Sequence, residues 1–368
     1  MKHRIGILTS GGDCAGLNAA VKWVVMTALD NRIQREYGVQ YEVLGIKDGW
    51  KGLINAEPDG LKFEENIWPL DQTTVRTWDR YGGTFLGTSR TNPFDPKNDR
   101  SKVAADNVKK LSLNSLIAIG GDDTIGAAIK LAKLGVNVVG IPKTIDKDLP
   151  ETDYSLGFET ALNVIVEEID RLRTTAGSHH RVFIIEIMGR TAGWLALEGG
   201  EAAGTDMILI PEYDFSIDRV NELVMERKKA GATYQIIAAA EGSKPTGVGE
   251  IYKSQATDSF GHKTLGGIGE WLADQIAQAT KLETRSVVLS HLQRGGTPCA
   301  YDRRMGRFFG IAAVGLVNKQ QYGNMVCYRN GRISAVPFDK VMGKLSLVDV
   351  KTQYDTERYN GRRYISGI

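Results

Sequence analysis

The sequence predicts an α/β protein of two lobes with a ligand cleft between them, and three observations predict it. Short apolar, β-branched runs alternate with longer stretches whose apolar residues recur at helical spacing, the pattern of strands and their covering helices. Several of the runs stop at glycine with a charged residue beside it. Charged loops then sit at the carboxyl ends of buried strands, where open α/β sheets bind ligands. The 368 residues also exceed what one core organises, since single cores stop growing at about 250–300 residues.

Composition narrows the function classes. With 42% hydrophobic and 24% charged residues the chain is an ordinary globular one, which excludes disorder. Its 46 basic and 44 acidic residues cancel to +2, so no global field draws it to nucleic acid or to a membrane surface. Anion binding has to be local. Cys14, Cys299 and Cys327 lie far apart without CxxC spacing, which argues against a disulfide framework and against a zinc site. The amino-terminal residues lead straight into Ile5-Gly6-Ile7-Leu8 without an apolar leader, and no apolar run approaches the ~20 residues that span a bilayer. The expectation is a soluble protein of the cytoplasm.

Taken in order, residues 5–9 read as a strand, residues 10–16 as a Gly-rich loop and residues 17–29 as a buried helix. Backbone N–H groups of such a loop and the positive end of the helix suit a phosphate, although the same turn also serves plain packing. It matches neither the dinucleotide fingerprint nor the P-loop pattern. Residues 41–47 form the next strand, and in the loop 81–90 three glycines and several hydroxyls lead to Arg90, whose guanidinium offers a fork for phosphoryl oxygens. A helix is expected over 97–111 and a strand over 115–119, followed by Gly120-Gly121-Asp122-Asp123-Thr124 and a helix over 125–134. An N-cap needs one such side chain, whereas two adjacent carboxylates repel each other unless a cation is near.

The strand at 136–141 runs into Pro142-Lys143-Thr144-Ile145-Asp146-Lys147-Asp148. Asp146 and Asp148 are two apart on non-helical backbone, so one can face a reacting group while the other leans toward a metal or solvent. A long helix at 157–173 follows, then a strand at 181–187 ending in Met188-Gly189-Arg190, and a helix starting over 191–198. A strand at 234–240 ends at Glu241-Gly242, residues 242–262 read as a long turn-rich loop, and a strand at 284–289 ends at Ser290-His291-Leu292-Gln293-Arg294-Gly295-Gly296. The tail from Val350 is polar and rich in Tyr and Arg. Repeated in this way, the glycine-and-charge loops describe a composite anion site.

Gly11-Gly12-Asp13, the loop from Gly82 through Arg90, Gly120-Gly121-Asp122-Asp123, Pro142 through Asp148, Met188-Gly189-Arg190 and His291 through Gly296 together resemble the phosphofructokinase family. The resemblance spans almost the whole chain. It implies two three-layer α/β lobes around an active-site cleft, with residues 1–157 completed by about 293–343 handling the phosphoryl donor and residues 158–292 completed by about 344–368 handling fructose 6-phosphate. It also implies phosphorylation of the sugar's 1-hydroxyl with Mg²⁺.

By the same resemblance Asp146 is the general base, with Thr144 and Arg190 at the transferred phosphoryl group and Gly12 and Arg90 on the donor side. Asp122 holds Mg²⁺, and Asp148 is close enough to serve the ion through water. Ile145, Met188, Gly189, Glu241, His291, Leu292, Gln293 and Arg294 line the sugar-phosphate site. Arg181 and Arg285 reach the 6-phosphate held by a neighbouring subunit, which implies a homodimer or homotetramer. ATP-using members usually carry glycine where this chain has Asp123, and many carry it in place of Lys143, whereas pyrophosphate-using members carry Asp and Lys. A carboxylate at Asp123 puts charge and bulk where the α-phosphate of ATP has to pass, while Lys143 supplies a compact cation for a small anion. Pyrophosphate is therefore the expected donor, ATP the alternative, and a non-catalytic sugar-phosphate sensor the alternative of another class. Lys22 and Met26 stand where allosteric ATP-using members have two arginines, which implies little response to ADP or phosphoenolpyruvate. Lys147, where the family often has Asn, reads as a phosphate-holding or a surface charge.

Overall fold

The computed structural model describes residues 2–257 and 263–363. Among the described residues, thirteen strands in chain order supply the two main sheets and a separate two-stranded ribbon. They are β1 (Lys2–Thr9), β2 (Gln40–Ile46), β3 (Ile67–Leu70), β4 (Ser115–Gly120), β5 (Val138–Pro142), β6 (Val182–Ile187), β7 (Met207–Leu209), β8 (Gln235–Ala240), β9 (Tyr252–Thr257), β10 (Lys263–Leu265), β11 (Thr284–Val288), β12 (Asn324–Arg329) and β13 (Arg332–Pro337).

The larger sheet has seven strands in the order β13-β12-β5-β4-β1-β2-β3, and the smaller has four in the order β11-β6-β8-β7. All neighbours are parallel except the two edges of the larger sheet, where β3 and β13 run antiparallel. Helices cover both faces of the parallel strands, so β4, β6 and β8 are buried along their whole length and are mostly apolar, with Ser115, Glu186 and Gln235 the polar exceptions. Pro69, which cannot donate to a ladder, sits in the edge strand β3 opposite Leu44, where such a residue is tolerated.

Several boundaries differ from the sequence reading, each for a local reason. The helix expected from Lys97 starts at Ser101, because Asp95 and Asp99 accept the N–H groups of Lys97 and Ser101 at 2.9 and 2.8 Å and hold the intervening residues in turns. The helix expected from Ile125 starts at Asp122, so both aspartates lie in its first turn. The helix ending at Arg173 by sequence continues to His179 and stops at His180, whose φ of 54° leaves the helical region. The turn-rich segment 242–262 holds β9, paired antiparallel with β10, and its residues 258–262 lie outside the described residues. In the tail, Tyr354 and Asp355 pair with Gly361 and Asn360, and residues 364–368 lie outside the described residues.

The helix Ala300–Asn318, which the sequence reading passes over, packs along the helix Leu17–Ala28 and leads into β12 and β13 beside β5. Among the described residues no helix is long and apolar enough to cross a membrane.

Candidate active site

In the larger sheet the register aligns Thr9 with Ile119 and Gly120 with Pro142, so the loops that follow β1, β4 and β5 leave the sheet side by side. Backbone bonds stitch them: Ser10 N–H donates to Ile119 O and Lys143 N–H to Gly120 O, each at 3.0 Å. The loop bearing Arg90 is tied to the first of them, with Gly11 N–H donating to Ser89 O at 3.1 Å and the Thr88 hydroxyl to Gly11 O at 2.6 Å. Arg90 therefore stands exposed beside Gly11 and Gly12.

Strands β6, β8 and β11 do the same from the smaller sheet, with Ile187 opposite Ala240 and Val288 opposite Glu186. Glu241 N–H donates to Ile187 O at 2.8 Å and Gly242 N–H to Gly189 O at 3.1 Å, which brings Met188-Gly189-Arg190 against Glu241. A Cβ on Gly242 would lie 2.0 Å from the Arg190 carbonyl oxygen, so only glycine permits this approach. The two sets of loops meet at Gly12, where a Cβ would lie 2.4 Å from a guanidinium nitrogen of Arg294. The same Arg294 donates to Asp13 O at 3.0 Å.

Mutual charge effects tie the remaining residues into one cluster. Burial raises the Asp146 carboxyl above the usual range, Arg294 and Arg190 pull it back, Asp122 pushes it up and Lys143 opposes. The Lys143 ammonium, held at 2.5 Å by Gly12 O, is lowered by burial, against the pull of the Cys14 thiol, Asp146 and Asp122. Asp148 is raised to about 7 by burial first, then by Asp146 and Asp122. Glu241 is raised to about 7 by burial, then by Asp146 and Glu186. Thr144 supports Asp146, its hydroxyl oxygen accepting Asp146 N–H at 3.1 Å.

Some of the expected residues contribute differently from a side-chain contact. Ile145 is buried in the core, so its backbone alone is left to face a ligand. Gln293 is 1% exposed and clamps the loops, accepting Met188 N–H at 3.2 Å and donating to Ser290 O at 3.0 Å. His291 is exposed, with Nδ1 3.0 Å from the Ser290 hydroxyl, and Leu292 is exposed beside it. Arg181 and Arg285 converge on Glu283 Oε1 at 2.8 and 2.7 Å, where β6 and β11 begin. The six residues of β6, at ~3.3 Å each, separate them from Met188 by roughly 20 Å, so the fold keeps both out of this chain's own cluster.

Lys147 is not a free surface charge, because its ammonium is 2.7 Å from Glu198 Oε1. Sequence reasoning missed Trp194 and Ser346, which support this loop from beneath. Trp194 Nε1 donates to Ser346 O at 3.0 Å and Ser346 N–H to Asp148 O at 2.7 Å, a connection with no local pattern to reveal it.

The acids also bear on a divalent ion. Among the described residues no group of three or more His, Cys, Asp or Glu side chains forms a ready metal cage. Mg²⁺ asks for less, commonly one or two carboxylates with waters and substrate phosphates completing the shell. Asp148 Oδ1 is buried without a hydrogen-bond partner while Asp122 is exposed to the open side of the cluster, a donor set that fits a hydrated hard cation.

With the geometry in place, comparison with known proteins identifies the architecture. A pyrophosphate–fructose 6-phosphate 1-phosphotransferase of Dictyoglomus thermophilum is 47% identical over 352 residues, covering 95% of this chain and 96% of that protein. An ATP-dependent 6-phosphofructokinase of Chloroflexus aurantiacus is 43% identical over 354 residues, covering 94% of this chain and 93% of that protein. The crystal structure of a pyrophosphate-dependent phosphofructokinase from Marinobacter aquaeolei superposes with a TM-score of 0.81 over 98% of this chain and 89% of that one. At 21% identity this is a likeness of fold. The Phosphofructokinase family model matches residues 4–317, and on that match and these full-length relatives the chain belongs to the phosphofructokinase family.

Proposed function

We propose that the protein transfers a phosphoryl group from inorganic pyrophosphate to the 1-hydroxyl of fructose 6-phosphate, reversibly and with Mg²⁺, giving fructose 1,6-bisphosphate and phosphate. Residues 1–157 with 293–343 hold the donor, and residues 158–292 with the tail from 344 hold the sugar phosphate. Phosphoryl transfer rests on positioning and charge stabilisation, so a single well-placed base among cations suffices.

Asp146 accepts the proton of the 1-hydroxyl as its oxygen attacks phosphorus. A carboxylate whose proton affinity is raised by burial is better matched to that task near neutrality than an ordinary one. Arg190 and Thr144 stabilise the transferred group, with Arg90 and the backbone of Gly12 on the donor side. Arg294, His291, Glu241 and Met188 orient the sugar phosphate. Asp122 and Asp148 would hold Mg²⁺, which when bound neutralises charge on the phosphate oxygens. Arg181 and Arg285 serve the site of a neighbouring subunit, and their distance from this chain's own cluster supports a homodimer or homotetramer. Lys22, paired with Asp79 at 2.8 Å, leaves ADP and phosphoenolpyruvate without an arginine pair to bind.

The donor is the finer question, because relatives of similar identity carry both names. The observation that carries pyrophosphate is Asp123 in the first turn of the helix Asp122–Lys133, which opens just after Gly120, the residue whose carbonyl binds Lys143 N–H while the Lys143 ammonium is fixed on Gly12 O. A negative side chain there leaves room for a small anion and opposes a nucleotide's α-phosphate, whereas the ATP reading is favoured by ATP-dependent relatives such as those of Chloroflexus aurantiacus and Clostridium perfringens. Purified protein assayed with fructose 6-phosphate is expected to turn over with pyrophosphate and hardly with ATP. Asp123→Gly is expected to raise kcat/KM for ATP about tenfold or more, the equivalent of ~1.4 kcal/mol of relieved repulsion. Turnover with ATP and none with pyrophosphate overturns the donor assignment.

A further inference from the structure

We propose that Lys147 is a positioning residue, holding the base Asp146 in place by locking its loop onto the acceptor lobe through a cage of Phe158, Trp194 and Glu198. The proposal rests on the role of Asp146 given above and adds what fixes that group.

The lysine ammonium lies 2.7 Å from Glu198 Oε1 and 5.0 Å from the ring centroids of both Phe158 and Trp194. Two aromatic faces and one carboxylate satisfy a cation from three sides, an arrangement stronger than a solvated ion pair. All three partners belong to the acceptor side: Phe158 opens the helix Phe158–His179, and Trp194 and Glu198 lie one turn apart on the helix Trp194–Ala202. Asp146 answers to a different set of charges, Arg294, Arg190, Asp122 and Lys143. The two consecutive side chains thus serve opposite directions, one gripping the scaffold and the other facing the cleft.

The backbone shows why a grip is needed. Lys147 has a φ of 55°, the left-handed region that a long side chain adopts only when its surroundings impose it. Trp194 makes the second hold, since its Nε1 binds Ser346 O while Ser346 N–H binds Asp148 O. Residues 147 and 148 are in this way fastened to one indole, by the side chain and by the main chain. Asp146 lies immediately before both fastenings, in the loop that follows β5 of the larger sheet. Fixing it to helices of the smaller sheet sets the distance between the base and the sugar hydroxyl, and a misplacement of ~1 Å costs on the order of 10²-fold in rate.

The experiment compares full-length Lys147→Met, Lys147→Arg, Glu198→Gln and the double variant Lys147→Met/Glu198→Gln with the wild type, using the donor the wild type accepts. Lys147→Met keeps the stem under the rings and removes the cation. Its kcat is expected to fall roughly 10–100-fold while KM for both substrates stays within about threefold, and Lys147→Arg to recover most of the loss. Glu198→Gln is expected to lower kcat less, and the double variant to be no slower than Lys147→Met, as for residues acting as one unit. A kcat of Lys147→Met within about twofold of wild type overturns the proposal, as does a loss that appears in KM or that only follows the folded fraction by circular dichroism. If Lys147→Met fails to fold, the unchanged kcat of a folded Glu198→Gln overturns it and a reduced one supports it. A wild type inactive with both pyrophosphate and ATP would defeat the functional reading, a result separate from an active wild type with an unaffected Lys147→Met.

Discussion

Asp302 and Asp148 are both buried carboxylates, and they differ in what their oxygens do. Asp302 is 0% exposed and accepts Gly157 N–H at 2.6 Å, Thr160 N–H at 2.8 Å, the Thr160 hydroxyl at 2.6 Å and the Tyr154 hydroxyl. Those N–H groups are ones the helix Phe158–His179 cannot satisfy itself, and its positive end favours the charge. Asp148 is 8% exposed and has one oxygen with no partner and two acids acting on it. Burial alone does not mark a functional acid. Unused lone pairs among like charges do, because a purely structural site would have satisfied them.

The comparison can be broken at three places, beginning with the largest effect. Asp146→Asn is expected to lower kcat by about 10³-fold, within the range of general-base loss, and to leave the melting temperature unchanged or raised, since it removes a charge that burial disfavours. Steady-state rates beside thermal melts check this, and a lowered melting temperature with near-normal turnover would place Asp146 with Asp302. Asp302→Ala should show the reverse. It strands two backbone donors and the Tyr154 and Thr160 hydroxyls, at about 1–3 kcal/mol each before relaxation, so a loss of about 3–5 kcal/mol is expected in urea unfolding, with kcat of the folded fraction changed only a few-fold. A rate loss as deep as that of Asp146→Asn would sink the distinction.

Glu241 gives the smallest and most specific test. Its carboxyl is raised from 4.5 to about 7 in the folded state, so between those values the folded chain binds a proton the unfolded chain has lost. Stability then falls as pH rises from about 4.5 through about 7, by up to roughly 2–3 kcal/mol, and is flat with respect to this group above that. Glu241→Gln is expected to remove this slope when urea unfolding is compared at pH 5 and pH 8. Parallel pH profiles for the two proteins would show that Glu241 is not held out of water in the way its position suggests.

What could be read from the sequence follows the same division. Strands β4, β5, β6 and β8 and the loops at their ends were legible because buried parallel strands leave mostly apolar runs and the loops announce themselves with glycine and charge, whereas β11, largely open to solvent and apolar only at Val287-Val288, was marked chiefly by the loop that follows it. Asp122 was found too, although the helix it opens was placed three residues late. Asp302 was not, since its partners Tyr154, Gly157 and Thr160 lie on a distant part of the chain and an acid in a helix's first turn looks like any other. The same holds for Lys147, whose cage is assembled from two helices, and for the three-residue β7, too short to show a period. The helix Ala300–Asn318 carried an ordinary amphipathic pattern, and nothing local says that it returns the chain to the first sheet.

That return has a consequence for synthesis. The free edge of β5 pairs with β12, through Val139 with Asn324 and Gly140 with Met325, and β13 then closes the sheet. A nascent chain on the ribosome therefore carries an open parallel edge while β6 to β11 are made, and the larger sheet is finished only after residue 337 has emerged.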